Sequence, residues 1–136
     1  MARPLLRTLS DIRTMTSHTR PPIRLVSVNT VPDRAQKVIG AVIDNVKDKY
    51  DIVHVGNSAT IKGVKSLLES TQPPPDILFC ASMWTPEEQE EIQKIAKQTI
   101  PGIKTNGTPT GLHTQVGPDG IVRYLVERID DILAEK

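Results

Sequence analysis

The feature that most constrains the fold is the apolar run Asp76-Ile-Leu-Phe-Cys-Ala-Ser-Met-Trp84, which contains the only Phe, Cys and Trp of the chain. Three prolines precede the run, and Thr85-Pro-Glu-Glu88 follows it. That tetrapeptide has the residues of a capping box, with proline at the first helical position. A short apolar segment between a turn and a helix start is typical of a strand buried on both faces of a parallel sheet. The run therefore predicts a central strand over residues 76–83, followed directly by a helix.

Three other segments predict strands, and amphipathic helices lie between them. The strands are predicted at residues 23–28, 51–55 and 103–105, the last being the least apolar. The first helix begins near Pro32 and ends near Tyr50, and the last begins at Pro118, because apolar residues recur at 3.6-residue spacing after each proline. Their predicted inward-facing residues are Ala35, Val38, Ile39, Val42, Ile43 and Val46 in the first helix, and Ile121, Val122, Leu125, Val126, Ile129, Ile132 and Leu133 in the last.

The second and third helices are predicted from weaker stripes. Their inward-facing residues are Ile61, Val64, Leu67 and Leu68 in the second helix, and Ile92, Ile95, Ala96 and Ile100 in the third. Residues 106–117 show no clear period and are predicted to be irregular, with a short extended piece at 112–116.

Strands that alternate with helices through short connections form a parallel sheet with helices on both faces. The chain length of 136 residues favours one domain. We therefore predict a three-layer α/β domain over residues 23–136, with four mainly parallel strands in the order 2-1-3-4, of the flavodoxin-like or Rossmann-like kind. An extended segment at 112–116 would add a fifth strand.

Residues 1–22 differ in composition from the rest of the chain. They carry Arg3, Arg7, Arg13 and Arg20 but only one acid, Asp11. This composition predicts either a mitochondrial transit peptide or a flexible basic tail. The single cysteine of the chain favours a reducing compartment, so we expect an intracellular protein, cytoplasmic or mitochondrial. No apolar run approaches the ~20 residues of a membrane span, and no membrane association is expected.

Charge and motifs argue against several function classes. Without residues 1–22, the 17 basic and 16 acidic side chains fall to 13 and 15, a nearly neutral body that is not typical of nucleic-acid binding. The turn after the first strand, residues 29–33, has no glycine, so it lacks the signature of a dinucleotide site, and no Walker A motif occurs. The ends of the first and third strands carry no carboxylate of the kind a receiver domain needs. Metal-ligand spacing is also missing. We expect no cofactor, metal or nucleic-acid partner.

The candidate site follows from the predicted strand order. Ligands of open parallel sheets bind beyond the carboxyl ends of the strands, at the point where strand order reverses, here between the first and third strands. The candidate ligand-binding residues at this edge are Asn29, Thr30, Ser82, Trp84, Gly107, Thr108 and Gly111. Residues 107–111 would contact a ligand through backbone N–H groups. The acids Asp33, Glu87 and Glu88 lie at two helix starts, which disfavours an anion bound by those helix N-termini.

Four residues are interpreted individually. His113 is the predicted general acid or base, because it follows the candidate loop. His54 and Cys80 lie inside predicted strands and are interpreted as a hydrogen-bonded structural histidine and a small core residue. Trp84 follows a strand end, where core packing alone is not expected to bury it fully. It is a candidate pocket wall or subunit contact, or a ring that folds back over the first helix, and a place in the core is the alternative.

Three functions remain open at this level. The first is a small-molecule-binding domain with its pocket at the carboxyl ends of the strands. The second is a cofactor-independent enzyme, an isomerase, lyase or cyclase, that uses His113 in acid–base catalysis. The third is a homo-oligomeric interaction module that pairs through Trp84 and the edge strand at 103–105. The sequence does not decide whether the chain is a catalyst.

Overall fold

The computed structural model describes residues 21–134, so residues 1–20, which carry almost all of the predicted basic tail, lie outside the described part. Every strand pair is parallel, and the sheet order is β2-β1-β3-β4. The strands are β1 (Ile23–Val28), β2 (Ile52–Ser58), β3 (Ile77–Cys80) and β4 (Lys104–Gly107), and the helices are α1 (Pro32–Val46), α2 (Val64–Ser70), α3 (Pro86–Thr99) and α4 (Leu112–Ala134). The predicted three-layer α/β class, of the flavodoxin-like or Rossmann-like kind, and the order 2-1-3-4 are confirmed.

Two hydrophobic layers cover the two faces of the sheet. Successive side chains of a strand point to opposite faces, so Leu25 and Phe79 pack in the cluster with α1 and α4, whereas Val26 and Leu78 pack in the cluster with α2 and α3. The predicted stripes are confirmed, since their residues are either buried or packed against these two clusters. The buried hydrophobic residues of the helices are Ala35, Ile39, Val42, Val46, Val64, Leu68, Ile92, Ala96, Ile121, Leu125, Ile129 and Ile132.

The predicted capping box opens α3. The Thr85 hydroxyl accepts from the Glu88 backbone N–H at 3.1 Å, and the Glu88 carboxylate accepts from the Thr85 N–H at 2.9 Å. Each bond satisfies a donor that the helix geometry would otherwise leave unpaired. The box therefore fixes where the chain turns after β3.

Three strand boundaries differ from the prediction. β3 ends at Cys80 rather than at residue 83, and β4 runs from Lys104 to Gly107 rather than over 103–105. β2 continues to Ser58 because a bulge inserts one extra residue into it, and pairing with β1 then resumes. The bulge lies between the partners of Leu25 and Val26, which are His54 and Gly56. Apolar composition could not locate these ends, since they depend on pairing with the neighbouring strand.

The prediction of an extended piece at 112–116 is wrong, and no fifth strand forms within residues 21–134. The segment is the first part of α4, begun by N–H groups of Thr114 and Gln115 that donate to the Gly111 carbonyl at 3.1 and 3.3 Å. Gly117 then breaks the helix with a φ of 73°, and Pro118 begins the main part. Glycine tolerates this left-handed backbone conformation at no steric cost. The proline that was predicted to open the last helix therefore marks its kink.

No helix within residues 21–134 combines the length and the apolar character that crossing a membrane would require.

The two edge strands of the sheet are β2 and β4. Self-association through residues 103–105 stays a prediction.

Candidate functional site

A cavity of about 50 Å³ lies beyond the carboxyl ends of β1 and β3, between α1 and α4. This is the point at which strand order reverses, because the chain passes from β1 to β2 on one side and reaches β3 on the other. Residues 27–29 and 79–83 form the sheet side of the cavity. Its position is that of ligand sites in open parallel sheets.

The inner wall of the cavity is apolar and comes from three elements. It is formed by Val38 and Ile39 of α1, Phe79 of β3, and Ile121 and Leu125 of α4. Phe79, Ile39 and Leu125 also belong to the hydrophobic cluster beneath α1 and α4. The cavity is thus a gap at one end of that cluster.

Six polar side chains line the same cavity: Ser27, Asn29, Arg34, Ser82, Thr108 and His113. Arg34 is exposed, whereas Ser27, Asn29, Ser82 and Thr108 are at most 9% exposed. Among the described residues, no aspartate or glutamate lines the cavity. The cavity therefore has a polar side, which includes the positively charged Arg34, and an apolar inner wall.

Backbone hydrogen bonds join the segment after β4 to the segment after β3 and so position His113. The Thr108 N–H donates to the Cys80 carbonyl at 3.1 Å, and the Gly111 N–H donates to the Ser82 carbonyl at 3.0 Å. The His113 N–H donates to Ser82 Oγ at 3.3 Å. Because the N–H groups of Thr108 and Gly111 are used in this way, they are not available to cradle a ligand.

Gln89 of α3 ties the same two segments together from the other side of the sheet. Its Nε2 donates to the Thr108 carbonyl at 2.7 Å and to the Trp84 carbonyl at 3.2 Å. The Gln89 side chain is buried, and a side chain at Gly107 would collide with its amide. Gly107 is therefore required for close packing of β4 against α3 rather than for contact with the cavity.

A hydrogen-bond chain fixes Ser27 at the sheet side of the cavity. Asn57 Nδ2 donates to the Asn29 carbonyl at 3.1 Å, which turns Asn57 Oδ1 toward the Ser27 hydroxyl, 2.7 Å away. Since Ser27 gives its single proton to Asn57, His54 Nε2 at 2.9 Å is the donor to Ser27 Oγ. The pKa of His54 is lowered, chiefly because burial disfavours the charged ring, while a backbone hydrogen bond with Gly56 opposes that effect. His54 is hydrogen-bonded within the fold, as its interpretation as a structural residue requires.

Two buried polar atoms have no hydrogen-bond partner within residues 21–134: His113 Nε2 and Asn106 Nδ2. Asn106 Oδ1 accepts from Arg128 Nε at 3.0 Å, so only its amide nitrogen is unpaired. His113 lines the cavity, and its unpaired nitrogen is the kind of group that a bound molecule would satisfy. Native proteins rarely leave such atoms unpaired, because burying an unbonded polar group costs about 1–3 kcal/mol.

The candidate residues fall into two groups. Asn29, Ser82, Thr108 and His113 meet at the cavity, whereas Thr30, Trp84, Gly107 and Gly111 do not line it. Thr30 is exposed, and Gly111 has a positive φ of 84° where the loop turns into α4.

Trp84 is buried, contrary to the expectation that core packing would leave it partly open. It is 8% exposed and packs in the cluster beneath α2 and α3, on the opposite side of the sheet from the cavity. Its indole N–H donates to the Val28 carbonyl at 2.9 Å, so the polar end of the ring is satisfied by the end of β1.

Cys80 lies in the cavity wall and is fully buried. Burial raises the pKa of its thiol to about 12. Since the thiolate is the nucleophilic form of cysteine, this residue is unsuited to attack on a bound molecule and acts as a small core residue.

Sequence reasoning missed Ser27, Arg34 and Gln89. Ser27 lies on the same face of β1 as Leu25. A polar residue at a position where the alternation predicts an apolar one was the available signal. Gln89 occupies the fourth helical position of α3, opposite Trp84 just before the cap, where a hydrophobic staple would place an apolar side chain. Arg34 gave no signal beyond its place in the first turn of α1.

Within residues 21–134 no group of three or more His, Cys, Asp or Glu side chains could hold a metal ion. No protein-family model matches the chain, and no curated protein shows significant similarity to it.

Proposed function

We propose that this domain binds a small molecule in the cavity between β1, β3, α1 and α4. The observation that carries the proposal is His113 Nε2, a buried ring nitrogen without a partner at the position where open parallel sheets take ligands. A hydrogen-bonding group of a ligand would satisfy it. The apolar wall formed by Ile39, Phe79 and Leu125 would contact the rest of the molecule.

The size of the cavity limits the ligand. One water needs about 10–15 Å³ of accessible volume, so a cavity of about 50 Å³ accepts roughly three to five non-hydrogen atoms. At a ceiling near 1.5 kcal/mol per atom, such a fragment gains at most about 4.5–7.5 kcal/mol, which corresponds to a dissociation constant between roughly 0.5 mM and a few micromolar. A ligand that binds much more tightly must extend out of the cavity through its mouth, which is the open side where the exposed Arg34 lies.

The test begins with native mass spectrometry of the protein purified without dialysis, followed by a ¹H–¹⁵N titration with a fragment library. We expect the amide signals of residues 27–29, 79–83 and 108–113 to shift together. Ala35→Val adds volume to the α1 side of the cavity and should weaken the fragments that bind there at least fivefold. Ala41→Val, a matched change on the same helix away from the cavity, should not. Fragments that shift only other residues, or that bind Ala35→Val unchanged, would refute the proposal.

A second function, acid–base catalysis by His113, is favoured by the same unpaired nitrogen. A histidine whose Nε2 faces a bound molecule can donate or accept a proton there. Once a ligand is known, NMR of the ligand incubated with the protein will show whether it is converted. Conversion that is lost in His113→Gln with binding retained supports catalysis, and a ligand that stays unchanged for days with the wild-type protein excludes it.

A further inference from the structure

We propose that the occupant of the cavity is a small monocarboxylic acid, with its carboxylate at the mouth near Arg34, Ser82 and His113 and its short apolar end against Phe79. This inference rests on the proposed binding function and specifies the ligand class for the same site. It follows from the hydrogen-bonding direction and the charge of the groups that line the mouth.

The polar groups at the mouth offer donors. Asn29 Oδ1 is occupied, because it accepts from the Val31 N–H at 2.7 Å, so the amide Nδ2 is the free end of that side chain. Ser82 Oγ accepts from the His113 N–H, and its own hydroxyl proton has no acceptor within residues 21–134. Together with the Arg34 guanidinium, these side chains match a ligand that accepts hydrogen bonds.

The positive charge at the mouth also favours a ligand that carries a negative charge. Of residues 21–134, Arg34 is the only charged one that lines the cavity, and it forms no ion pair with any other residue of that range. By contrast, Lys49 pairs with Asp130 at 3.0 Å, and Arg128 pairs with Asp131 at 2.8 Å. Asp33, next to Arg34 in the chain, does not line the cavity. Within the described residues, therefore, no carboxylate forms an ion pair with Arg34 or lines the cavity beside it.

A carboxylate fits these features better than a phosphate or an amine. Phosphate sites use several backbone N–H groups from a glycine-rich turn, whereas the turn after β1 has no glycine and the N–H groups of Thr108 and Gly111 already donate to carbonyls. A ligand ammonium would need a carboxylate, and no carboxylate from the described part of the chain lines the cavity. A guanidinium binds one planar carboxylate through two parallel hydrogen bonds, while an apolar inner wall accepts a short hydrocarbon chain.

The test compares butyrate with butyramide, two four-carbon molecules of nearly the same shape that differ in charge at pH 7. Both are titrated into ¹⁵N-labelled protein while the amide signals of residues 27–29, 79–83 and 108–113 are followed. We expect butyrate to bind at least tenfold more tightly than butyramide. Arg34→Gln should weaken butyrate at least tenfold and leave butyramide within twofold of wild type. Lys37→Gln is the matched control, because it removes the same charge from an exposed position of the same helix that does not line the cavity.

Each outcome separates this inference from the proposed function. If the two molecules bind the cavity equally and Arg34→Gln changes neither, the carboxylate inference is wrong and small-molecule binding stands. If Arg34→Gln and Lys37→Gln weaken butyrate binding equally, the protein attracts butyrate by its overall charge rather than by contact with Arg34. That result would also overturn the carboxylate inference. If neither molecule nor any library fragment shifts the cavity residues, both proposals fail. Butyrate binding that maps away from the cavity refutes the inference as well.

Discussion

We expect Gln89→Leu to destabilise the fold more than a conservative substitution within a helix usually does. The reason is that the side-chain amide of Gln89 joins two loops. The substitution removes hydrogen bonds of 2.7 Å to the Thr108 carbonyl and 3.2 Å to the Trp84 carbonyl. Two such bonds contribute about 0.5–1.5 kcal/mol each, and leaving the buried Thr108 carbonyl unpaired costs about 1–3 kcal/mol. The Trp84 carbonyl keeps a bond from Thr110 Oγ1 at 2.7 Å. After the gain from burying leucine, we expect a net loss of about 2–4 kcal/mol.

Urea denaturation measures this loss directly, and for a domain of this size it corresponds to a fall in Tm of roughly 4 °C per kcal/mol. Gln93→Leu is the matched control. Gln93 lies one turn further along α3, is half-buried and makes no side-chain hydrogen bond within residues 21–134, so its replacement should change stability by less than about 0.5 kcal/mol. Amide exchange at Thr108 and Gly111 should accelerate only in Gln89→Leu. Equal stabilities of the two variants would refute the role given to Gln89.

Three further predictions concern other buried groups. Trp84→Phe should lower the unfolding free energy by about 1–2 kcal/mol, because the Val28 carbonyl loses the indole N–H but keeps the Ala81 N–H; no change in urea denaturation would contradict this. The Cys80 thiol, with a pKa of about 12, should react with iodoacetamide at pH 8 only as fast as the protein opens, so rapid labelling of native protein would refute its burial. The pKa of His54 is lowered in the fold, so the folded state binds fewer protons and stability should fall as pH drops below about 6.5. His54→Gln should reduce that dependence, and identical pH profiles of the two proteins would refute it.

The layered architecture could be predicted because each element carries its own pattern. The apolar stripes of α1 and α4, the proline at Pro32 and the capping box at Thr85 each define an element without reference to any other part of the chain. Short connections between strands and helices then leave few topologies. The order 2-1-3-4 is the simplest of these topologies for four parallel strands, and it is the order that the sheet has.

The features that escaped prediction depend on contacts between distant segments. The end of β2 at Ser58 depends on its register with β1, and the start of the helical turn at residues 112–116 is held by N–H groups of Gly111 and His113 that donate to Ser82 in the segment after β3. Trp84 was misjudged because its environment comes from α2 and α3 and from the Val28 carbonyl, more than fifty residues away. Four of the eight predicted site residues meet at the cavity, and the other four do not line it.

The cavity itself follows from the sizes of side chains along one face of the sheet. Toward the amino ends of the strands, large residues such as Leu25 and Ile77 fill the space beneath α1 and α4. Toward the carboxyl ends, the positions that line the gap include the small residues Ser27, Ala35 and Ala81. Close packing leaves no voids where side chains fill the layer, so the change from Leu25 to Ser27 along β1, together with Ala35 of α1, leaves space beside Phe79 at that end. A strand that changes from large to small side chains toward its carboxyl end, on the face shared by the first and last helices, is therefore the sequence signal that would have located this cavity.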